Sequence, residues 1–375
     1  MRSGLLASIA LTLIACEEPP WEPPGEVVFE GDFLDFRVTA DAPEYCGGVP
    51  TYLDRYTGAL YSELQVEPSG DLVVYSLANP DEVRAYEPEG RHYLAFDAEG
   101  GILSGSPVLE HELVHAVQRQ AYGRQYLLTE GLAELFGGDA AIPDRFVTDG
   151  TAEELVEHVE EENGIRAYAY GDAGRFVAYL DHRFGRDTLL RLLEDSSRSD
   201  VTVEQFSSQV EAATGVPWGE VARGYDDSEV CDQQEYWNAS SACSAADSLG
   251  LCNGAQDAIH IIDLDCAAPD VLGERQDFTG EDALELWTYR TVMFEQPGRY
   301  GLYILGQWDT ESVGYIDLKR CGGGCGSFLQ RFQVPTGPSV AENFDIEEPG
   351  EYLLKIARPS DAQSAIEFQI VGACE

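Results

Sequence analysis

The chain has 375 residues, 44% of them hydrophobic, which is enough for a sizeable core in about two domains. Its 68 acidic and 23 basic side chains give a formal net charge of −45. So dense a negative field repels nucleic acid and anionic membrane surfaces, which argues against both as binding partners.

The first 25 residues have the pattern of an export signal followed by a tether. Leu5–Ala15 is an apolar run that is too short to span a bilayer and fits the core of a signal peptide. Residues 13–16, L-I-A-C, resemble the bacterial lipobox, in which cleavage precedes a cysteine that is then lipidated. The resemblance implies a signal peptide at 1–15, a lipidated Cys16, and a location in the bacterial cell envelope, at the outer membrane or cell surface. The alternative is a plain secretory signal with an incidental cysteine.

The rest of the chain divides by its hydrophobic pattern. A proline-rich tether at 16–25 precedes a first region with predicted strands at 26–38, 71–76 and 92–97 and a helix at 50–65. Helical periodicity follows, with predicted helices at 107–121, 130–136, 151–162, 170–184, 187–194 and 203–212.

The pattern changes after residue 226. Residues 227–275 are rich in cysteine, polar and poorly periodic, and we expect a cross-linked linker there. Residues 276–375 alternate apolar and polar side chains in short runs separated by Pro-Gly and Gly-Pro turns, which is typical of an antiparallel β-sandwich. The expected fold class is α+β, with one domain at 26–226 and an all-β accessory domain at the C-terminus.

The number of cysteines also indicates an exported protein. Eight remain besides Cys16, and an even number in an exported protein indicates disulfides, although eight allow 105 pairings that sequence cannot rank. A zinc ribbon built on Cys321 and Cys325 is the competing interpretation. It is disfavoured because three residues separate this pair and no second pair or histidine cluster lies nearby.

The clearest chemical signal is the motif H-E-x-x-H. It lies on a predicted helix that should begin at Ser106, a good N-cap, and Pro107, which suits the first helical position. His111 and His115 then lie one turn apart on one face, where both imidazoles can bind a single Zn²⁺. Glu112 can reach a water on the metal and is the general base of this zinc-peptidase motif. The alternative is that both histidines face the core.

The next predicted helix carries Glu130 and Glu134 in the sequence E-G-L-A-E. With H-E-x-x-H, this pattern resembles the gluzincin zinc peptidases, the superfamily of thermolysin and the zinc aminopeptidases. The resemblance implies a small sheet followed by helices, Glu130 as the third zinc ligand, and Glu134 as the hydrogen-bond partner of the far nitrogen of His111. The alternative is that the two glutamates solvate a helix face. A metzincin is excluded because no glycine-spaced third histidine follows His115.

Two further expectations follow from the resemblance. Residues 170–185 resemble the downstream helix of aminopeptidase-like gluzincins, in which a tyrosine hydrogen-bonds the developing oxyanion. Tyr170 is the matching position and Tyr168 the second choice, against the alternative that these tyrosines only pack beside the core. Residues 100–105, G-G-I-L-S-G, occupy the place of the edge strand that pairs with substrate backbone. Two other histidines are predicted to lie at the surface, namely His158 and His182.

The predicted function is therefore zinc-dependent hydrolysis of peptide bonds in extracytoplasmic proteins or peptides. Glu112 would activate the water, Zn²⁺ would be the cofactor, and the partners would be a peptide or protein substrate and, through Cys16, a membrane. The alternative is a surface binding lipoprotein whose zinc site is structural or inactive. Glu112 favours the enzyme, because a structural site needs the ligands but not the base.

Overall fold

The computed structural model describes most of the chain after the predicted signal peptide: residues 23–85, 95–98, 101–123, 125–137, 150–162, 170–195, 202–231, 233–253, 256–273, 285–306, 314–325, 327–334, 340–359 and 365–372. The fold mixes helices with several sheets, as the expected α+β class requires. The predicted signal peptide and Cys16 lie outside the described residues. Within these ranges, no helix combines the length and apolar character needed to cross a bilayer.

The N-terminal part is a five-stranded sheet with two helices. Its elements are β1 (Glu26–Glu30), β2 (Leu34–Val38), α1 (Val49–Glu63), β3 (Val73–Leu77), α2 (Pro80–Ala85), β4 (Ala95–Ala98) and β5 (Gly101–Ser104). The strand order is β1-β2-β3-β5-β4, in which β2, β3 and β5 run parallel and the outer two pairings are antiparallel. Helix α1 buries Tyr52, Leu53, Tyr56 and Leu60. The predicted strands at 71–76 and 92–97 and the helix at 50–65 are confirmed to within a few residues, whereas 26–38 forms two antiparallel strands rather than one.

The prediction that residues 100–105 form an edge strand is wrong. Strand β5 lies between β3 and β4 and pairs with both of them. All four of its residues are buried, and an apolar strand of this kind suits the interior of a sheet better than its rim. The sheet instead ends at β4, which runs antiparallel to β5.

The helical region follows as predicted in outline. Its helices are α3 (Glu110–Gln118), α4 (Tyr126–Phe136), α5 (Ala152–Glu162), α6 (Tyr170–Phe184), α7 (Arg186–Asp195), α8 (Val203–Thr214) and α9 (Trp218–Asp226). Helix α4 starts four residues before the predicted position, because the side chain of Gln125 accepts a hydrogen bond from Leu128 N at 2.7 Å and caps it. Helix α9 was not predicted.

The start of α3 also differs from the prediction. The helix begins at Glu110, and Leu109 stands at the N-cap without a side-chain hydrogen bond. Ser106 does not cap it, because its carbonyl accepts the hydroxyl of Tyr75 at 2.6 Å and its own hydroxyl donates to Val108 O at 3.2 Å. These bonds hold Ser106 in the turn after β5, so that the helix can form only beyond it.

The C-terminal part is a β-sandwich. Its elements are α10 (Gln233–Tyr236), α11 (Ser240–Ala245), β6 (Asp247–Ser248), β7 (Cys252–Asn253), β8 (Gln256–Asp257), β9 (Ile259–Ile262), β10 (Leu272–Gly273), β11 (Glu285–Phe294), β12 (Gly298–Gly306), β13 (Gly314–Arg320), β14 (Phe328–Val334), β15 (Val340–Ile346), β16 (Gly350–Pro359) and β17 (Ile366–Val371). One sheet has the order β10-β11-β16-β13-β14 with β6 on β11, and the other has the order β15-β12-β17-β9. Strands β6, β9 and β10 belong to these sheets, so the sandwich begins before residue 276.

Disulfides connect the two parts of the molecule. Cys46, just before α1, is bonded to Cys266, and Cys231–Cys325 and Cys243–Cys321 join the segment around α10 and α11 to the loop after β13. A further cysteine, Cys252, is bonded to a partner outside the described residues. The expectation of disulfides is confirmed for these cysteines, and the zinc ribbon is wrong because Cys321 and Cys325 are both cross-linked.

Candidate metal centre

Three predicted ligands meet at one point. His111 Nε2, His115 Nε2 and Glu130 Oε2 form a triangle in which each pair of atoms is 3.2 Å apart. His111 is buried, and the other two side chains are mostly buried with a small part exposed to solvent. These three residues can hold a metal ion.

The local sequence explains why the atoms converge. The two histidines are four residues apart on α3, so their side chains project from one face of the helix. Helix α4 packs against α3 and presents Glu130 to that face. Gly137 ends α4 so close to α3 that a side chain there would lie 2.8 Å from the Cα of His111. A larger residue at this position would push the two helices apart.

The distances within the triangle suit the ligands of one small metal ion. Zinc bonds to histidine nitrogen and carboxylate oxygen are about 2.0–2.1 Å long, so ligand atoms in a tetrahedral arrangement are roughly 3.3 Å apart. The observed separations of 3.2 Å agree with this value. Among the described residues, these three form the only group of histidine, cysteine or acidic side chains that could hold a metal ion.

The neighbouring charges favour an ionised ligand. Burial by itself would raise the pKa of the Glu130 carboxyl, but the two imidazoles beside it hold that pKa well below its usual range. The carboxylate form is the one that binds metal. Glu134, one turn further along α4, is fully buried, and its Oε1 lies 3.0 Å from Nδ1 of His111. A proton on Nδ1 would donate to this carboxylate and leave Nε2 free to bind the ion.

Of the two predicted catalytic residues, Tyr170 lies beside the triangle and Glu112 is part of the helix that carries both histidines. Glu112 lies in the first turn of α3 between the two histidines and is half-buried. Tyr170, the first residue of α6, is half-buried, and its ring centroid is 5.9 Å from that of His111 in an edge-to-face arrangement. Tyr168 and the side chain of His158 lie outside the described residues, while His182 is exposed as expected.

Sequence reasoning missed the residues behind the site. Glu110 precedes His111 and is only 3% exposed, and its Oε1 accepts a hydrogen bond from the hydroxyl of Tyr52 at 3.1 Å. The hydroxyl of Tyr56 donates to the carbonyl of Phe136, the last residue of α4. The charged residue Glu110 follows two apolar residues in the sequence V-L-E-H, and this could have indicated a buried carboxylate. The two contacts themselves could not be foreseen, because Tyr52 is 58 residues from Glu110 and Tyr56 is 80 residues from Phe136.

No protein-family model matches this chain, and none of the curated proteins matches it. Among solved structures, aminopeptidase A of Legionella pneumophila in complex with aspartic acid is similar over 85% of this chain and 35% of its own, with 11% identity and a TM-score of 0.31. This chain thus spans about a third of that protein's length. The CBM22-1 xylan-binding domain of Xyn10C from Paenibacillus barcinonensis is similar over 32% of this chain and 87% of its own, with 15% identity and a TM-score of 0.19. CsCBM6-3 from Clostridium stercorarium, in complex with cellobiose, covers 30% of this chain and 79% of its own, at 11% identity and a TM-score of 0.16. These likenesses are too weak to establish a family.

Proposed function

We propose that this protein is a zinc metallopeptidase of the gluzincin type that hydrolyses peptide bonds in extracytoplasmic proteins or peptides. The observation that carries the proposal is the triangle of His111, His115 and Glu130, with atoms 3.2 Å apart and Glu112 on the same helix. A site made only to hold an ion would need no glutamate at position 112 and no open position.

Zinc is the metal that this donor set fits best, because two imidazoles and one carboxylate with an open position are the ligands of many zinc hydrolases. When bound, the ion supplies Lewis acidity and lowers the pKa of water to about 7. Glu134 contributes by orienting the imidazole of His111 through Nδ1.

The protein groups around the ion have separate tasks. The carboxylate of Glu112 accepts the proton of the attacking water and passes it to the leaving amine. The hydroxyl of Tyr170 donates a hydrogen bond to the oxyanion that develops on the peptide carbonyl. Substrate backbone pairs with the sheet rim at β4, rather than with the interior strand β5.

The proposed location is the cell envelope. Disulfides form and persist in oxidising, extracytoplasmic compartments, and three of them are present among the described residues. The N-terminal sequence adds the lipidation motif at Cys16. Together they favour a peptidase that is exported and then anchored by lipid through Cys16.

Two variants test the function. Purified wild type should contain about one zinc per chain and cleave a peptide library. Glu112→Gln should keep the zinc and the thermal stability of wild type while turnover falls about 10²–10⁴-fold, the usual contribution of a general base. Glu130→Ala should instead lose most of the zinc.

The outcomes separate the alternatives. Stoichiometric zinc in Glu130→Ala would eliminate Glu130 as a ligand, and undiminished turnover in Glu112→Gln would show that hydrolysis occurs elsewhere. Wild type that binds zinc but cleaves no peptide would favour the alternative, a surface binding lipoprotein with a structural or inactive zinc site.

A further inference from the structure

The proposed reaction gives no role to the buried carboxylate next to His111. Glu110 is the first residue of α3 and is adjacent to a metal ligand, yet its side chain turns away from the triangle toward α1. There Oε1 accepts the hydroxyl of Tyr52 at 3.1 Å. Burying a charged group is costly unless it is hydrogen-bonded, so this contact has to be maintained for α3 to start where it does.

The partner hydroxyls remain protonated. Burial first, and then the charge of Glu110, raise the pKa of Tyr52 well above its usual value, and the same two causes act on Tyr56. Both tyrosines are therefore hydrogen-bond donors near neutral pH.

Tyr52 and Tyr56 are one turn apart on α1 and contact different helices. Tyr52 donates to Glu110 at the beginning of α3, which carries the two histidines. Tyr56 donates to the carbonyl of Phe136 at the end of α4, which carries Glu130. One face of α1 thus binds both of the helices that have to approach each other to form the metal site.

The β-sandwich supports this pair from the other side. The ring of Tyr289 on β11 lies 5.5 Å from that of Tyr52, and the rings of Tyr52 and Tyr56 are 5.6 Å apart. All three tyrosines are buried in one hydrophobic cluster with residues of α3 and α4. The rings are therefore held on both sides, which fixes the direction of the hydroxyls.

We propose that Tyr52 and Tyr56 are positioning residues that hold α3 and α4 at the separation that a metal ion requires. This inference rests on the metal site of the proposed function. A merely structural role would lower the stability of the protein without changing its preference for the ion. A positioning role changes the metal affinity itself, because the ligand atoms of the metal-free protein no longer stand at bonding distance from one point.

The test measures zinc affinity of the metal-free full chain by competition with a chromophoric chelator. Tyr52→Phe and Tyr56→Phe keep the buried rings and remove only the hydroxyls, so the fold should survive. Each variant should bind zinc about 10–100-fold more weakly, the effect typical of groups that support metal ligands. Tyr352→Phe is the matched control, because its hydroxyl donates to the carbonyl of Glu348 at 2.7 Å within the sandwich, far from α3. Its zinc affinity should equal that of wild type.

A second measurement reports geometry directly. Co²⁺ bound in place of zinc has visible absorption bands that depend on how its ligands are arranged. The bands should shift in Tyr52→Phe and Tyr56→Phe but not in Tyr352→Phe. Unchanged affinity and unchanged bands in both variants, with lower melting temperatures, would overturn the positioning role and leave the metal site intact. Wild type without zinc affinity would instead refute the metal site and this inference together.

Discussion

Gly131 is the glycine of the E-G-L-A-E motif, and its substitution by alanine tests how the two glutamates are placed. It lies on the side of α4 that packs against α6. A methyl group there would be 2.5 Å from the carbonyl oxygen of Ala173 and 2.5 Å from Cγ2 of Val177, whereas ordinary contacts begin at 3.4 Å. The carbonyl belongs to the backbone of α6 and cannot rotate away, so the helices have to separate by about 1 Å.

The expected loss of stability is the difference between two effects. Overpacking of this kind costs about 1–3 kcal/mol, and three contacts below 3.0 Å place Gly131→Ala at the upper end. Alanine is the better helix former by about 1 kcal/mol, which offsets part of that cost. The net loss of about 2 kcal/mol corresponds to a melting temperature lower by roughly 3 °C in a protein of this size.

The control is Gly219→Ala in α9, where an added methyl group would have no atom within 4 Å. This variant should gain about 0.5–1 kcal/mol from helix propensity alone. Thermal unfolding of the metal-free proteins, followed by circular dichroism, should therefore shift in opposite directions for the two substitutions. If Gly131→Ala were as stable as Gly219→Ala, close packing of α4 on α6 would not be the reason for this glycine.

Two predictions concern the residues around the metal triangle. Glu134→Gln should weaken zinc binding about 10–100-fold, because the amide no longer fixes the proton on Nδ1 of His111; zinc affinity equal to that of wild type would refute that role. Tyr170→Phe should lower turnover about 10²–10³-fold with KM little changed, as expected for loss of an oxyanion donor. Near-normal turnover, together with a crippled Tyr168→Phe, would assign the oxyanion contact to Tyr168.

Much of the fold was predictable because its signals are local. The helix over 170–184 follows from periodicity over a few residues and has the predicted bounds, and alternation likewise predicted the antiparallel strands after residue 276. The predictions were wrong where contacts between residues that are distant in sequence determine the local structure. Ser106 has the sequence of an N-cap, but the hydroxyl of Tyr75, from a different strand, holds it in a turn. The sequence of β5 alone could not show that this strand lies inside the sheet. Its position depends on which strands pair with it, and that is set by the order of the whole sheet.

In the candidate site, too, contacts between residues close in sequence were predictable and contacts between distant residues were not. His111 and His115 are four residues apart, so the turn of one helix suffices to bring them together. Glu130 could be placed only through a resemblance, since nothing in the local sequence shows that α4 returns to α3. The support behind the site was not predictable at all, because Tyr52 and Tyr56 contact residues that are 58 and 80 positions away.

Of the two lysines of the chain, Lys319 and Lys355, the first fixes the sandwich to α10, which packs against α4 and α6. Both are buried, in a protein that otherwise uses arginine for its positive charges. The ammonium group of Lys319 donates to the carbonyl of Gln234 on α10 and to the hydroxyl of Ser327 at 2.6 Å. A buried ammonium group is tolerated only where its hydrogen-bond acceptors stay in place, so the segment around α10 cannot move freely against the sheet. Disulfides at Cys231 and Cys243 fix the same segment. Its polar, poorly periodic sequence therefore reflects carbonyl groups and cross-links that hold an interface, rather than a flexible linker.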